Sequence, residues 1–131
     1  MVRRYAALAI CLILVFSAHA GYPQEDGCKI SATRGAASAA GSDSTMIVVN
    51  TGRPCGYSVY ENPAQRKNPG TEGELTVAPK YGKVEIKPPR IQYTPEPGYS
   101  GEDSFSAQMW TGGTRVVLLK FNFKVTVQPP G

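Results

Sequence analysis

Residues 115–127 of the chain read RVVLLKFNFKVTV, with an apolar side chain at every second position from residue 117 to residue 127. Successive side chains of an extended strand point to opposite faces, so this pattern places one face in a core and the other towards solvent. Residues 83–87 (KVEIK) alternate in the same way, with Val84 and Ile86 between charged side chains. Both stretches predict half-buried β-strands.

The stretch 115–127 is long for one strand of a small sandwich. Its 13 residues extend ~43 Å at ~3.3 Å per residue. Val116 and Leu118 are also apolar, which interrupts the alternation. We therefore expect a bulge or break near residues 118–120.

Shorter runs with strand character fill most of the remaining chain. They occupy residues 45–50, 57–60, 74–78, 90–94 and 104–110. In the run 74–78, Leu75 and Val77 are expected to lie on one side of the strand. With 14 glycines and 11 prolines among 131 residues, turns are frequent, and no run has the helical period. About seven strands of this kind predict an all-β, antiparallel two-sheet sandwich.

Three segments have the composition of connections between strands. Residues 35–44 (GAASAAGSDS) are small, polar and unpatterned, and we expect a flexible surface segment there. Residues 61–73 contain two prolines and two glycines and predict a second loop. Residues 110–114 (WTGGT) predict a hairpin turn.

The first 20 residues have the pattern of a secretory signal peptide. Arg3 and Arg4 precede an apolar run at 7–16, and Ala18-His19-Ala20 gives a cleavage site before Gly21. The apolar run is shorter than the roughly 20 residues that cross a bilayer. The sequence thus predicts an exported single domain, residues 21–131, that is periplasmic or secreted and has no membrane span after cleavage.

Two cysteines and no histidine remain after this cleavage. Cys28 and Cys55 are expected to form a disulfide, because exported domains of this size fold in oxidising compartments. Their spacing is not that of a Cys-x-x-Cys redox motif, and two cysteines are too few for a zinc site. Without histidine there is no Ser-His-Asp triad or Cys-His pair. We therefore expect no enzymatic activity, no metal and no cofactor.

The net charge of +4 includes Arg3 and Arg4, and falls to +2 when they leave with the signal peptide. Nucleic-acid binding requires a clustered basic face. A residual charge this small does not favour a nucleic-acid partner.

Residues 79–86 (PKYGKVEI) and 91–105 (IQYTPEPGYSGEDSF) form the most specific motif. They resemble the bacterial Ig-like, cadherin-like repeat family of exported proteins, whose repeats show Pro-x-x-Gly-x-Val and then Tyr-x-Pro-x-x-Gly-(Phe/Tyr)-x-Gly-x-Asp-x-Phe. The matching residues are Pro79, Gly82, Val84, Tyr93, Pro95, Gly98, Tyr99, Gly101, Asp103 and Phe105. The resemblance implies an Ig-like sandwich.

The residues of this motif also have a direct physical interpretation. Gly101 permits a backbone conformation that other residues avoid, and Asp103 is suited to accept backbone N–H bonds from the turn. The resemblance further suggests Glu102 and Asp103 as calcium ligands, because cadherin-type domains bind calcium with acids near such turns. Calcium requires 6–8 oxygens, and a purely structural turn is the alternative.

Aromatic residues are the candidate contacts with a partner. Trp110, beside two glycines, is the best candidate, followed by Tyr57 and Tyr60, with Tyr81 also placed for exposure. Ordinary core or edge packing is the alternative for each. These residues predict a non-catalytic binding module for a protein or glycan of the cell envelope. The sequence leaves open the identity of that ligand and the oligomeric state of the module.

Two other functions remain open at this point. A secreted peptidase inhibitor would act through the loops 53–55, 68–71 and 110–113. A small lytic enzyme would act through carboxylates alone, as some glycosidases do.

Overall fold

A computed structural model of the chain describes residues 27–31, 33–113 and 115–131. The predicted signal peptide, residues 1–20, lies outside the described residues. Within the described ranges the chain forms nine strands and no helix. The strands are β1 (Cys28–Ile30), β2 (Ser42–Val49), β3 (Cys55–Ser58), β4 (Tyr60–Asn62), β5 (Lys67–Val77), β6 (Gly82–Lys87), β7 (Arg90–Pro95), β8 (Gly101–Thr111) and β9 (Val117–Gln128).

The strands form two sheets, which confirms the predicted all-β two-sheet architecture. One sheet has the order β1-β2-β9-β8-β5-β4 and the other the order β3-β7-β6. Seven of the strands correspond to the seven expected from the sequence. The two additional strands, β1 and β4, are edge strands of 3 residues each, too short to show an alternation.

The strand order is that of an immunoglobulin-type sandwich. The series β3-β7-β6 occupies the positions of strands B-E-D, and β5-β8-β9 those of strands C-F-G. One pairing differs from the predicted antiparallel arrangement, because β2 runs parallel to β9 from Ser42 opposite Phe121 to Val49 opposite Gln128. The two strands are far apart in sequence, so no tight turn dictates their relative direction.

The core lies between the two sheets and follows the predicted alternation. Its buried apolar residues are Met46, Val48, Cys55, Val59, Ile91, Tyr93, Phe105, Ala107, Met109, Leu119, Phe121, Phe123, Val125 and Val127. Val84 and Ile86 pack against it, and the charged residues of β6 are exposed.

Strand β9 is continuous, so the predicted break near residues 118–120 is wrong. All 11 residues from Val117 to Val127 pair in a single register with β8. Leu118 does not interrupt the strand because it lies on the outer face, directly opposite Trp110. Val116 precedes the strand and is 70% exposed.

The predicted loop at 61–73 is instead a hairpin between β4 and β5. Pairing with β8 holds the glycine-rich β5 in extended form, which local composition did not reveal. A register shift between Leu75 and Val77 places the two on different sides, leaving Val77 56% exposed. This corrects the prediction that they share a face.

The predicted surface segment 35–44 ends earlier than expected, because residues 42–44 belong to β2. Ser42 and Ser44 are buried, and their hydroxyls lie 3.1 Å apart and hydrogen-bond each other. The hydrogen bond satisfies groups that would otherwise be costly to bury, so polar side chains occupy core positions here.

The disulfide between Cys28 and Cys55 is present. It joins β1, at the edge of the six-stranded sheet, to β3, at the edge of the three-stranded sheet, with a Cα–Cα distance of 5.4 Å. The bond therefore ties the two layers together along one side of the sandwich.

Candidate functional site

Asp103 is the centre of the motif 79–105. Its Oδ1 accepts backbone N–H bonds from Lys80 and Ser104, at 2.9 Å each, while its Oδ2 accepts from the N–H of Tyr81 at 3.0 Å and the hydroxyl of Tyr93 at 2.8 Å. The carboxylate thus joins β8, the segment before β6, and β7 in the opposite sheet. Each donor also favours the ionised form of Asp103.

The pKa of Asp103 reflects two opposing effects. Desolvation by burial raises it, but the hydrogen bonds from Lys80, Ser104, Tyr93 and Tyr81 outweigh burial and lower it from 3.8. The pKa of the Tyr93 hydroxyl is raised far above 10.0, by burial first and then by its hydrogen bond to Asp103. The pair is therefore a fixed carboxylate bound to a neutral phenol, an arrangement that stabilises the turn.

The other residues of the motif surround this carboxylate. The ring of Tyr93 stacks on Phe105 at 5.8 Å, and Pro95 is buried at the end of β7. Gly98 and Gly101 have φ angles of 78° and 135°, in the region that favours glycine. The turn is therefore built from the residue types that the sequence indicated.

Asn50 lies outside the motif and was not indicated by the sequence, but it holds the same turn in place. Its Nδ2 donates to the carbonyl oxygens of Glu96 at 2.8 Å and Tyr99 at 2.9 Å. A single asparagine after a strand carries no signal for such a role.

Glu102 and Asp103, the two calcium candidates, have separate hydrogen-bond partners. As neighbours in β8 they point to opposite faces of the sheet. The Glu102 carboxylate accepts from the Thr126 hydroxyl, while both Asp103 oxygens already have two donors each. Within the described ranges, no group of three or more His, Cys, Asp or Glu side chains is placed to hold a metal ion.

Tyr57 and Tyr60 meet where the chain passes from one sheet to the other. Between them Val59 donates its N–H to Pro89, beside the three-stranded sheet, and accepts at its carbonyl from Gly70 of the six-stranded sheet. This crossing brings Tyr57 at the end of β3 and Tyr60 at the start of β4 to the same opening between the layers.

The opening is a groove with a volume of ≈ 220 Å³, here called the Tyr57–Tyr60 groove. Its lining is Thr33, Gly35, Ala36, Ala37, Tyr57, Tyr60, Glu61, Pro63, Leu119 and Phe121. The Tyr57 hydroxyl and the Thr33 hydroxyl hydrogen-bond at 2.6 Å, and the Tyr57 ring contacts Phe121 edge to face at 5.8 Å. Tyr57 is therefore a fixed wall of the groove, and Tyr60 lies half-buried beside it.

Trp110 lies elsewhere, on the outer face of the six-stranded sheet between Glu72 and Leu118. It is half-buried. Tyr81 is 42% exposed at the end of the sandwich near Asp103. The structure thus brings together Tyr57 and Tyr60, but not Trp110 or Tyr81.

The three loops considered for a peptidase inhibitor do not share one end of the molecule. Loops 68–71 and 110–113 are adjacent, with the N–H of Gly112 donating to the carbonyl of Pro69 at 3.2 Å. Loop 53–55 enters β3 at the opposite end, beside the start of β8. Strand β8 has 11 residues, which separates the two ends by ~35 Å at ~3.3 Å per residue.

Comparison with protein-family models, curated proteins and solved structures gives no match to this chain. In the part of the chain that the structure describes, no helix has the length and apolar character needed to cross a membrane.

Proposed function

We propose that the chain is an exported, non-catalytic Ig-like module that binds a protein or glycan of the cell envelope through the Tyr57–Tyr60 groove. The main observation in support of this proposal is that Tyr57 and Tyr60 lie at the same opening, whose floor is formed by core residues. Leu119 and Phe121 form the apolar floor, and Thr33 and Glu61 provide polar groups at the sides. An apolar cavity with a few polar groups is the usual form of a binding site.

The groove favours binding over catalysis. Glu61 is its one carboxylate among the described residues that line it, whereas hydrolysis by the two-carboxylate mechanism needs a second. The disulfide supports export to an oxidising compartment, periplasmic or extracellular. Mass spectrometry of the exported protein tests this part directly, since we expect a chain that begins at Gly21.

The binding proposal is tested with the purified protein immobilised against solubilised envelope material. We expect Tyr60→Ala to weaken retention of the main ligand about tenfold, because half-buried aromatic side chains dominate many interfaces. Val116→Ala is the control, since Val116 is 70% exposed and lies outside the groove. Equal retention by the wild type and Tyr60→Ala, with the fold intact by circular dichroism, contradicts the proposal.

The distance between loop 53–55 and the loops 68–71 and 110–113 argues against the alternative function, a secreted peptidase inhibitor. A single peptidase cleft would have to contact both ends of the sandwich at once. We therefore do not propose a three-loop inhibitor.

A further inference from the structure

A second depression lies at the end of the sandwich away from loops 68–71 and 110–113. It has a volume of ≈ 630 Å³, and we call it the Asn50–Lys83 cleft. Its lining is Asn50, Gly52, Gly82, Lys83, Thr94, Pro95, Glu96, Pro97 and Gly98. Lys83 and Thr94 are directly opposite each other in β6 and β7, so one wall is rigid sheet.

The other walls are held by the hydrogen bonds of the turn. Asn50 binds the carbonyls of Glu96 and Tyr99, while Glu96 donates its N–H to the carbonyl of Tyr81 at 2.9 Å and accepts from the N–H of Tyr99 at 3.1 Å. These contacts join the loop after β2, the turn after β7 and the residue before β6. The cleft is therefore preorganised, which reduces the entropy lost on binding.

Several polar side chains of the cleft have no hydrogen-bond or ion-pair partner among the described residues. The side chains of Lys83, Thr94 and Glu96 make no hydrogen bond or ion pair with any described residue. The cleft thus offers an ammonium, a hydroxyl and a carboxylate, which together donate and accept hydrogen bonds. Because both charge signs are present, the lining does not favour a strongly charged ligand.

Two stacked aromatic rings belong to residues that lie next to the lining of the cleft but are not part of it. The rings of Tyr81 and Tyr99 are stacked with centroids 4.4 Å apart and planes within 10° of parallel. The Tyr99 hydroxyl donates to the carbonyl of Glu102, which fixes the inner ring. Tyr81 is the outer ring and remains 42% exposed. Gly82 and Lys83 of the cleft follow it directly in the chain.

We propose that the Asn50–Lys83 cleft binds a neutral oligosaccharide with β-linked, all-equatorial pyranose rings. Such a ring has an apolar face of axial C–H groups that lies flat on a tyrosine, while its equatorial hydroxyls extend sideways to polar side chains. In this proposal one sugar ring lies on Tyr81, next to the lining residue Gly82, and the neighbouring rings lie in the cleft, where Lys83, Thr94 and Glu96 provide the hydrogen bonds. This inference rests on the proposed role as a binding module but concerns a different surface from the Tyr57–Tyr60 groove.

The probe is chitotriose, the β-1,4-linked trisaccharide of N-acetylglucosamine, added to the isotope-labelled protein to about 10 mM, tenfold above a Kd of ~1 mM. We expect shifts of the backbone amide resonances of Asn50, Gly82, Lys83 and Gly98. Maltotriose, which is α-linked, is expected to produce smaller shifts. Absence of shifts at these amides overturns the proposal.

A matched pair of variants tests the stacking of a sugar ring on Tyr81. Tyr81→Phe retains the ring, and the Tyr81 hydroxyl makes no hydrogen bond with a described residue, so chitotriose affinity is expected to stay within about twofold. Tyr81→Ala is expected to weaken it about tenfold. Thr94→Val replaces the hydroxyl by a methyl group and is expected to weaken chitotriose binding as well. It gives an independent test if Tyr81→Ala disturbs the turn. Equal affinity of Tyr81→Ala and Tyr81→Phe contradicts this stacking.

The failure of this inference is distinguishable from failure of the proposed function. Chitotriose shifts at the Tyr57–Tyr60 groove alone overturn the cleft as the sugar site and support the first proposal. Capture of an envelope protein that depends on Tyr81, with no shifts from chitotriose, overturns the glycan assignment in favour of a protein ligand.

Discussion

Asp103 accepts four hydrogen bonds in a partly buried position, and its negative charge strengthens all four. Bonds to a charged acceptor are stronger than neutral ones, at about 1.5–3 kcal/mol each in favourable cases. The four donors come from segments that approach each other only in the folded chain. The residue therefore couples ionisation to the geometry of the whole turn.

Replacement Asp103→Asn is expected to lower the free energy of unfolding at pH 7 by about 1–3 kcal/mol, since an amide nitrogen cannot accept from the backbone N–H groups. In the wild type, the pKa of Asp103 is lowered from 3.8 in the folded state. Its stabilisation is therefore complete above the unfolded pKa and is lost as pH falls through the folded pKa. Urea unfolding between pH 7 and pH 2 should show that the free energy of unfolding of the wild type falls at acid pH. The fall should be smaller for Asp103→Asn.

Asp43→Asn is the control for this series, since Asp43 is exposed on β2 and receives one bond, from Asn122. Its effect should stay within about 0.5 kcal/mol. Similar losses for both variants would show that Asp103 has no special role in the turn.

Tyr93 gives the opposite pH dependence. Its pKa is raised above the ordinary value of 10.0, so its stabilisation is present below pH 10 and is lost as pH rises past the unfolded pKa. Tyr93→Phe removes the titrating hydroxyl and its bond to Asp103, at a cost of about 1–3 kcal/mol at pH 7. We expect a shallower alkaline decline for Tyr93→Phe than for the wild type by urea unfolding; parallel curves contradict this.

The residues of the Asp103 turn could be predicted because the residue types that favour a turn lie close together in the sequence. Gly98 and Gly101 adopt the conformations that glycine alone enters easily, and both fall within a few residues of Asp103. Asn50 was not predictable, because its bonds reach 46 and 49 residues along the chain. The Thr33 bond to Tyr57 spans 24 residues and was missed for the same reason.

At the scale of whole strands, the alternation of apolar and polar residues predicted which face of a strand is buried. It predicted where the strands begin and end less accurately. Strands β6 to β9 bury the faces that their sequences indicate. Strand β5 was partly missed because its glycines and proline give no pattern, and pairing with β8 imposes the extended form. Strand β9 remains unbroken because it has a hydrogen-bonded neighbour on each side, which compensates for the apolar Leu118 on its outer face.

The face assignment of β9 is testable with two adjacent alanine variants. Phe123 is 1% exposed and contacts the rings of Phe105, Tyr57 and Phe121, so Phe123→Ala should cost about 3–5 kcal/mol through the cavity it leaves. Lys124 is exposed on the other face, and Lys124→Ala should change stability by less than about 0.5 kcal/mol. Chemical denaturation of both variants tests this assignment, and a larger loss for Lys124→Ala than for Phe123→Ala would mean that the two faces of β9 are reversed.

At the scale of the whole molecule, the two proposed surfaces depend on contacts that join separate strands. The Tyr57–Tyr60 groove opens where the chain crosses between sheets at Val59, and the Asn50–Lys83 cleft opens at the opposite end. The sequence indicated aromatic candidates but could not show that Tyr57 and Tyr60 converge while Trp110 lies apart. Such convergence is a property of the tertiary arrangement alone.

The Cys28–Cys55 disulfide connects the edges of both sheets, so its removal acts on the whole sandwich. The cysteines are 27 residues apart, and closing a loop of that size restricts the unfolded chain by about 3–4 kcal/mol. The double variant Cys28→Ala/Cys55→Ala should lose about this much stability in urea, and a reducing agent should lower the wild type to a similar value. Because the variant has no bond to reduce, the same agent should leave it unchanged. A loss below about 1 kcal/mol would mean that packing between the layers, without the covalent link, already restricts the chain, and the stability of the fold would then not depend on an oxidising compartment.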